Sequence, residues 1–192
     1  MIDSVLLRIA KTAILSEFDE KYSIPKEKLL EEYPFLSQMG AAFVTLNHNH
    51  SLRGCIGSIV ARRSLLEDVI GNARSAAFGD PRFQPLRQDE FSDLTLEVSV
   101  LTEPKLLDYA DYEDLKSKIK PGVDGLILKY GQYQGAFLPQ VWEQLPDANQ
   151  FLERLSYKAN ANPTIYEKHP EIYAYQVEAI EEKFDDIKGV SR

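Results

Sequence analysis

The chain has 192 residues, of which 44% are hydrophobic and 27% charged, and its net charge is −8. That is room for one domain, or one domain of two lobes, with a real core. No window approaches the ~20 apolar residues that cross a bilayer, one cysteine excludes an intramolecular disulfide or a cysteine-only zinc site, and the acidic balance lacks the continuous basic footprint of a nucleic-acid surface.

In chain order, Val5, Leu6, Ile9, Ala10, Ala13, Ile14 and Phe18 fall on one helical stripe. A loop with Pro25 follows, then a short charged helix over Lys26–Glu32, ended by Pro34. Ala41 to Leu46 alternates as a strand, with Phe43 and Thr45 on the face opposite Val44 and Leu46. Asn47–Ser51 reads as a polar turn and Arg53–Val60 as a second strand, together a hairpin with a longer loop. Ser64-Leu65-Leu66-Glu67 is a capping box, which starts a helix that Gly79 and Asp80-Pro81 end.

Leu94–Thr102 alternates as a strand and Pro104 closes it. A helix is expected over Asp111–Ile119, broken by Pro121-Gly122. Gly125–Tyr130 and Tyr133–Leu138 form a second hairpin around Gly131-Gln132. A helix starts at Pro146-Asp147 and runs to about Ala159, and Ile172–Ile180 is a last strand before an acidic tail. Strands that come in hairpins predict an α+β fold: antiparallel sheet with flanking helices, two lobes in one domain.

The sharpest local signal is Leu52-Arg53-Gly54-Cys55-Ile56-Gly57. In a regular strand Arg53, Cys55 and Gly57 share one face, and Leu52 and Ile56 mark the core face. The guanidinium and the only thiol then point together toward water, a cleft or a partner. A neighbouring arginine favours the thiolate, the nucleophilic form, and Gly54 and Gly57 allow close approach of a ligand or another backbone. The competing reading is a small packed cysteine, with glycines that make room for a helix.

Six of the nine arginines lie within residues 51–88, which carry +3 net against −11 for the rest. Arginine's planar fork suits carboxylate or phosphate, so an anionic small molecule is one reading, and internal pairing with acids is the other. Arg62 and Arg63 sit just before the capped helix, where they strengthen an anion site or pair internally. Asp80 is a candidate to orient Arg53 or act as a base, and Arg82 to hold an anion. The bland alternative for Asp80-Pro81-Arg82-Phe83 is a turn. His48 and His50 lie among asparagines and read as turn residues. No Gly-x-Gly-x-x-Gly after a strand, phosphate-loop lysine motif or Gly-x-Ser-x-Gly is present, and no cofactor or metal is expected. No signal-peptide pattern opens the chain, so a cytoplasmic location is expected.

Taken together, several segments resemble one family. They are Phe43-Val44-Thr45-Leu46, Leu52 to Ser58, Asp80-Pro81-Arg82-Phe83, Glu97 to Pro104, Gly122-Val123-Asp124-Gly125-Leu126 and Leu138-Pro139-Gln140-Val141-Trp142. In this order, from about residue 4 to 181, they resemble the AMMECR domain family. The resemblance implies a two-lobed α+β fold with a smaller lobe inserted centrally, and it supplies no known reaction. Members resemble the first component of the AmmeMemoRadiSam system, which implies a Memo-type protein and a radical S-adenosylmethionine enzyme as partners. Many members carry a second cysteine where this chain has Ser156, and a glycine where it has Asn160. That departure counts against a dithiol or a two-thiolate metal site.

Two function classes follow. In the first, the chain is an enzyme or enzyme component acting on an anionic small molecule. Cys55 and Asp80 are then catalytic, and Arg53, Arg82, Gly54, Gly57 and Ser58 bind the ligand. In the second, the chain is a non-catalytic binding or scaffold subunit for the partner proteins.

Overall fold

The structure is a computed structural model, and it describes residues 2–190. These fall into two compact units, one built from the chain up to Leu101 and again from Glu178, the other from Thr102–Val177.

The first unit opens with α1 (Val5–Leu15), and α2 is Lys26–Glu32. Phe18 lies beyond the end of α1 but still packs on the core its stripe feeds. Strand β1 (Met39–His48) is longer than its alternating run. Its hairpin to β2 (Ser51–Gly57) needs only Asn49 and His50. Both take left-handed backbone, with φ of 50° and 65°. Two such residues match the right-handed strand twist, so the expected longer loop collapses to a two-residue turn. A two-residue strand, β3 (Arg63–Ser64), leads into α3 (Leu65–Phe78), and β4 is Leu94–Leu101. One half of the predicted capping box forms: the Ser64 hydroxyl accepts the Glu67 N–H, while the Glu67 carboxylate pairs with Lys26 at 2.8 Å.

The second unit holds β5 (Lys105–Leu106), α4 (Tyr112–Lys118), β6 (Gly125–Tyr130), β7 (Tyr133–Phe137), α5 (Ala148–Lys158) and β8 (Glu171–Tyr175). Asp111 and Asp147 cap α4 and α5 with their carboxylates. Its sheet runs β5-β8-β6-β7. The expected single strand over Ile172–Ile180 is in fact two. Gln176 separates β8 from β9 (Val177–Lys183), and β9 joins the sheet of the first unit in the order β2-β1-β4-β9, with β3 also on β1. No glycine, proline or turn pair falls at Gln176, so the sequence carries no mark of the change of sheet.

The core of the first unit sits on one face of its sheet. Val44, Leu46, Leu96 and Val98 pack there with Ile9 and Ile14 of α1 and Val69, Ala73 and Ala76 of α3. The second unit has its own core, in which Leu115, Leu126, Leu128, Phe151, Leu155 and Ile172 are fully buried. The fold is α+β with antiparallel pairing in both sheets.

Candidate functional site

Cys55 lies on β2 directly across from Thr45, and Thr45 lies across from Glu97 of β4. Directly opposed residues project to the same face, so these three form a row on the face that α1 and α3 do not cover. Cys55 is half-buried, and its Sγ is 3.2 Å from Thr45 Oγ1. Glu97 ends the row. Its Oε1 accepts the Ser99 hydroxyl at 3.0 Å. Burial, and secondarily the neighbouring Glu181 carboxylate, push the Glu97 carboxyl above its ordinary range.

The backbone of Cys55 is turned away from β1. Its N–H donates to Asp80 Oδ2 at 3.0 Å, and its carbonyl accepts from an Arg82 guanidinium nitrogen at 3.4 Å. Asp80 and Arg82 also pair with each other, at 2.7 Å and 3.0 Å. The pair therefore stands beside β2 as a side-chain substitute for a next strand, one way to blunt a sheet edge. The Arg82 hydrogen bonds and the Cys55 N–H hold the Asp80 carboxyl well below the carboxylate range. Such an acid is a poor proton acceptor at neutral pH, so the role its geometry supports is orientation of Arg82. Asp80 does not orient Arg53.

Arg53 is held elsewhere. Its guanidinium meets Glu90 in a two-point pair at 2.7 and 3.1 Å, and both side chains are nearly buried. Arg53, and then the Arg87 N–H, lower the Glu90 carboxyl against the opposing effect of burial. Leu46 faces Gly54 while Asn47 faces Leu52, so Arg53 is the extra residue of a β-bulge. The bulge corrects the face reading. A one-residue slip moves everything beyond it to the other side. Leu52 pairs with Asn47, on the Thr45 face, and is 43% exposed, while Gly54 and Ile56 alone keep the core side.

The two glycines serve close packing. A Cβ on Gly54 would lie 2.0 Å from the Ala76 carbonyl oxygen of α3, and one on Gly57 would lie 2.1 Å from the Phe43 ring. After Gly57 one ladder bond remains, from the Ser58 N–H to the Ala42 carbonyl at 3.1 Å, and the Ala42 N–H is left without a strand partner. Asp68 of α3 fills that gap, accepting the Ala42 N–H at 2.8 Å, the Ser58 hydroxyl at 2.8 Å and Arg63 Nε at 2.8 Å. Asn72, one turn on, donates to the Ala42 carbonyl at 2.9 Å. A cavity of about 520 Å³ opens beside this network, lined by Gly57, Ser58, Val60, Arg62 and Arg63. Arg62 makes no ion pair among the described residues.

The structure thus brings Cys55, Asp80 and Arg82 together, places Gly57 and Ser58 at the adjoining cavity, and ties Arg53 to Glu90. Thr45, Glu97 and Glu90 were not singled out from sequence. The signal for Thr45 and Glu97 was present: each is the polar member of an alternating strand, and only the register that sets them beside Cys55 was hidden.

The sequence model of the AMMECR1 family matches residues 7–180. The chain belongs to the AMMECR1 family. Among its AMMECR1-type relatives, a protein of Saccharolobus islandicus is 42% identical over 171 residues, covering 84% of this chain and 73% of the relative. A protein of Methanothermobacter thermautotrophicus is 37% identical over 180 residues, 92% of each chain. The crystal structure of an uncharacterized protein from Pyrococcus horikoshii superposes with a TM-score of 0.76 at 35% identity, covering 94% of this chain and 91% of that one. No described helix is long and apolar enough to cross a membrane.

Proposed function

We propose that the face around Cys55 is a thiol site acting on an anionic small molecule, which makes the chain an enzyme or enzyme component. One observation carries this reading: the Sγ of the half-buried Cys55 lies 3.2 Å from the Thr45 hydroxyl, on the residue whose carbonyl meets the Arg82 guanidinium. Cys55 is the nucleophile, Thr45 hydrogen-bonds the sulfur, and Arg82 stabilises developing negative charge. Asp80 positions Arg82. Gly57, Ser58 and Arg62 offer the adjoining cavity to the anion.

Iodoacetamide labelling followed by mass spectrometry tests the proposal. Cys55 of the native protein is expected to label at neutral pH, several-fold more slowly in Arg82→Gln. Inorganic phosphate should slow labelling in the native chain and not in Arg62→Gln. A thiol that labels only after unfolding overturns the reading.

A second reading has an observation of its own. Arg53 with Glu90 and Arg82 with Asp80 cancel charge inside the chain, which leaves less for a free anion. That favours a binding subunit for a Memo-type protein and a radical S-adenosylmethionine enzyme. Under it, Cys55→Ser would leave capture of those purified partners unchanged.

A further inference from the structure

The second unit contains a cavity of about 510 Å³ that the Cys55 site does not use. Its lining includes Tyr112, Tyr166, Pro163 and His169, with the acidic residues Asp111 and Glu167. The volume suits a small organic ligand.

Three features fix the chemistry that fits. The first is a rigid aromatic corner. The Tyr112 and Tyr166 rings lie 5.3 Å apart, tilted by 49°. Tyr166 is locked by its hydroxyl, which donates to the Leu152 carbonyl. His169 is locked by stacking on Tyr109, with centroids 4.2 Å apart, and by a ring nitrogen 2.8 Å from the Tyr109 carbonyl oxygen.

The second is the sign of the field. Asp111 uses one carboxylate oxygen to cap α4 by accepting the Asp114 N–H, and the other has no partner among the described residues. Glu167 is exposed and forms no ion pair among the described residues. Burial raises the Tyr112 phenol, and after an opposing effect of Lys116, Glu113, Asp147 and Glu153 raise it further. Both tyrosines therefore stay neutral, and the surroundings are acidic.

The third is that a cation already sits on this corner. Lys116 Nζ lies 5.2 Å from the Tyr112 ring centre. Its charge is matched by Glu113 at 2.9 Å, so it leaves the two carboxylates of the cavity uncompensated.

We propose that this cavity binds a small organic cation through an alkylammonium head, with the tyrosine rings as walls and Asp111 and Glu167 as counter-charges. Aromatic faces attract such heads through the ring quadrupole, most strongly when the head is weakly hydrated. An anion would meet two carboxylates, and a neutral apolar ligand would leave them unused.

The test compares choline with its neutral carbon isostere, 3,3-dimethylbutan-1-ol, by NMR titration of the full chain. Choline is expected to shift the signals of Tyr112, Tyr166 and His169 and to bind about ten-fold more tightly than the isostere. Asp111→Asn combined with Glu167→Gln should weaken choline by several-fold while leaving the isostere unchanged. Asparagine caps a helix as well as aspartate, so α4 is preserved. Tyr112→Leu should erase the preference for the cation. Equal binding of the two probes, no choline shifts at millimolar concentration, or binding indifferent to these variants would each overturn the proposal.

Discussion

The two units fasten their backbones by different chemistry. In the first, carboxylates close the gaps: Asp68 serves Ala42, Ser58 and Arg63, Asp80 serves Cys55 and Arg82, and Glu90 serves Arg53 and the Arg87 N–H. The second uses carboxylates at its helix caps and at Asp124, which accepts the Lys120 N–H and the Gln176 amide, and adds aromatic side chains that donate to backbone carbonyls. Tyr109 reaches Pro170, Tyr166 reaches Leu152, Tyr175 reaches Phe137 and the Trp142 indole reaches Asp124. The difference follows from geometry. A carboxylate accepts several donors at once, which suits a place where a strand ladder stops short. A phenol brings an apolar body with one polar tip, which suits a carbonyl at the rim of a core. The dense arginine segment of the sequence belongs to the first pattern, and most of it is occupied within the chain.

The comparison is easiest to break at Asp68. Asp68→Ala strands the buried Ala42 N–H and takes one partner from the half-exposed Arg63, and should cost about 2–3 kcal/mol in chemical denaturation. Gly54→Ala presses a methyl into the Ala76 carbonyl of α3 and should cost about 1–3 kcal/mol. Tyr166→Phe leaves the Leu152 carbonyl without its phenol and should cost about 1 kcal/mol. If Tyr166→Phe proved as damaging as Asp68→Ala, the contrast between multi-point carboxylates and single-point phenols would be lost.

Titration sharpens the contrast from both sides. Asp80 and Glu90 are lowered in the folded chain, so their stabilisation is present above their ordinary values of 3.8 and 4.5 and is lost as pH falls below them. Glu97 has the opposite sign: its raised carboxyl stabilises when protonated and costs stability once pH rises past it. Tyr109 is pushed up by burial to about 12 from 10.0, so its contribution holds to pH 10 and is lost toward 12. Hydrogen exchange should therefore show the region of Cys55 and Arg53 opening first in acid and the Tyr109 region opening first in alkali. Glu97→Gln should raise the melting temperature at neutral pH, with the gain vanishing below pH 4.5. The smallest effect is expected at exposed Leu52, where Leu52→Ser should stay within about 0.5 kcal/mol. A large loss there would mean that the bulge had been misplaced.

Much of the fold was legible because it rests on local rules. The Ser64 cap, the Lys26–Glu32 helix, the alternation of Leu94–Leu101 and the Gly131 hairpin each declare themselves within a few residues. Parts of the site did not, because they depend on register and long-range pairing. The bulge at Arg53 has no signature of its own, yet it decides which way Leu52 faces. Asp68 and Asn72 looked like ordinary helix residues, and only the end of β2 opposite Ala42 makes them necessary. Glu90 gave no sign that it would take Arg53 away from the cysteine. The departure of the chain at Gln176 from one sheet to another was equally silent.

The Asp80–Arg82 pair also limits how anything can dock at the cysteine. An extended peptide that joins a sheet needs an unmet row of backbone groups to grip. At Cys55 both the N–H and the carbonyl are already engaged by side chains. Strand addition along this stretch of β2 is closed, and a ligand for the thiol must arrive across the face of the sheet.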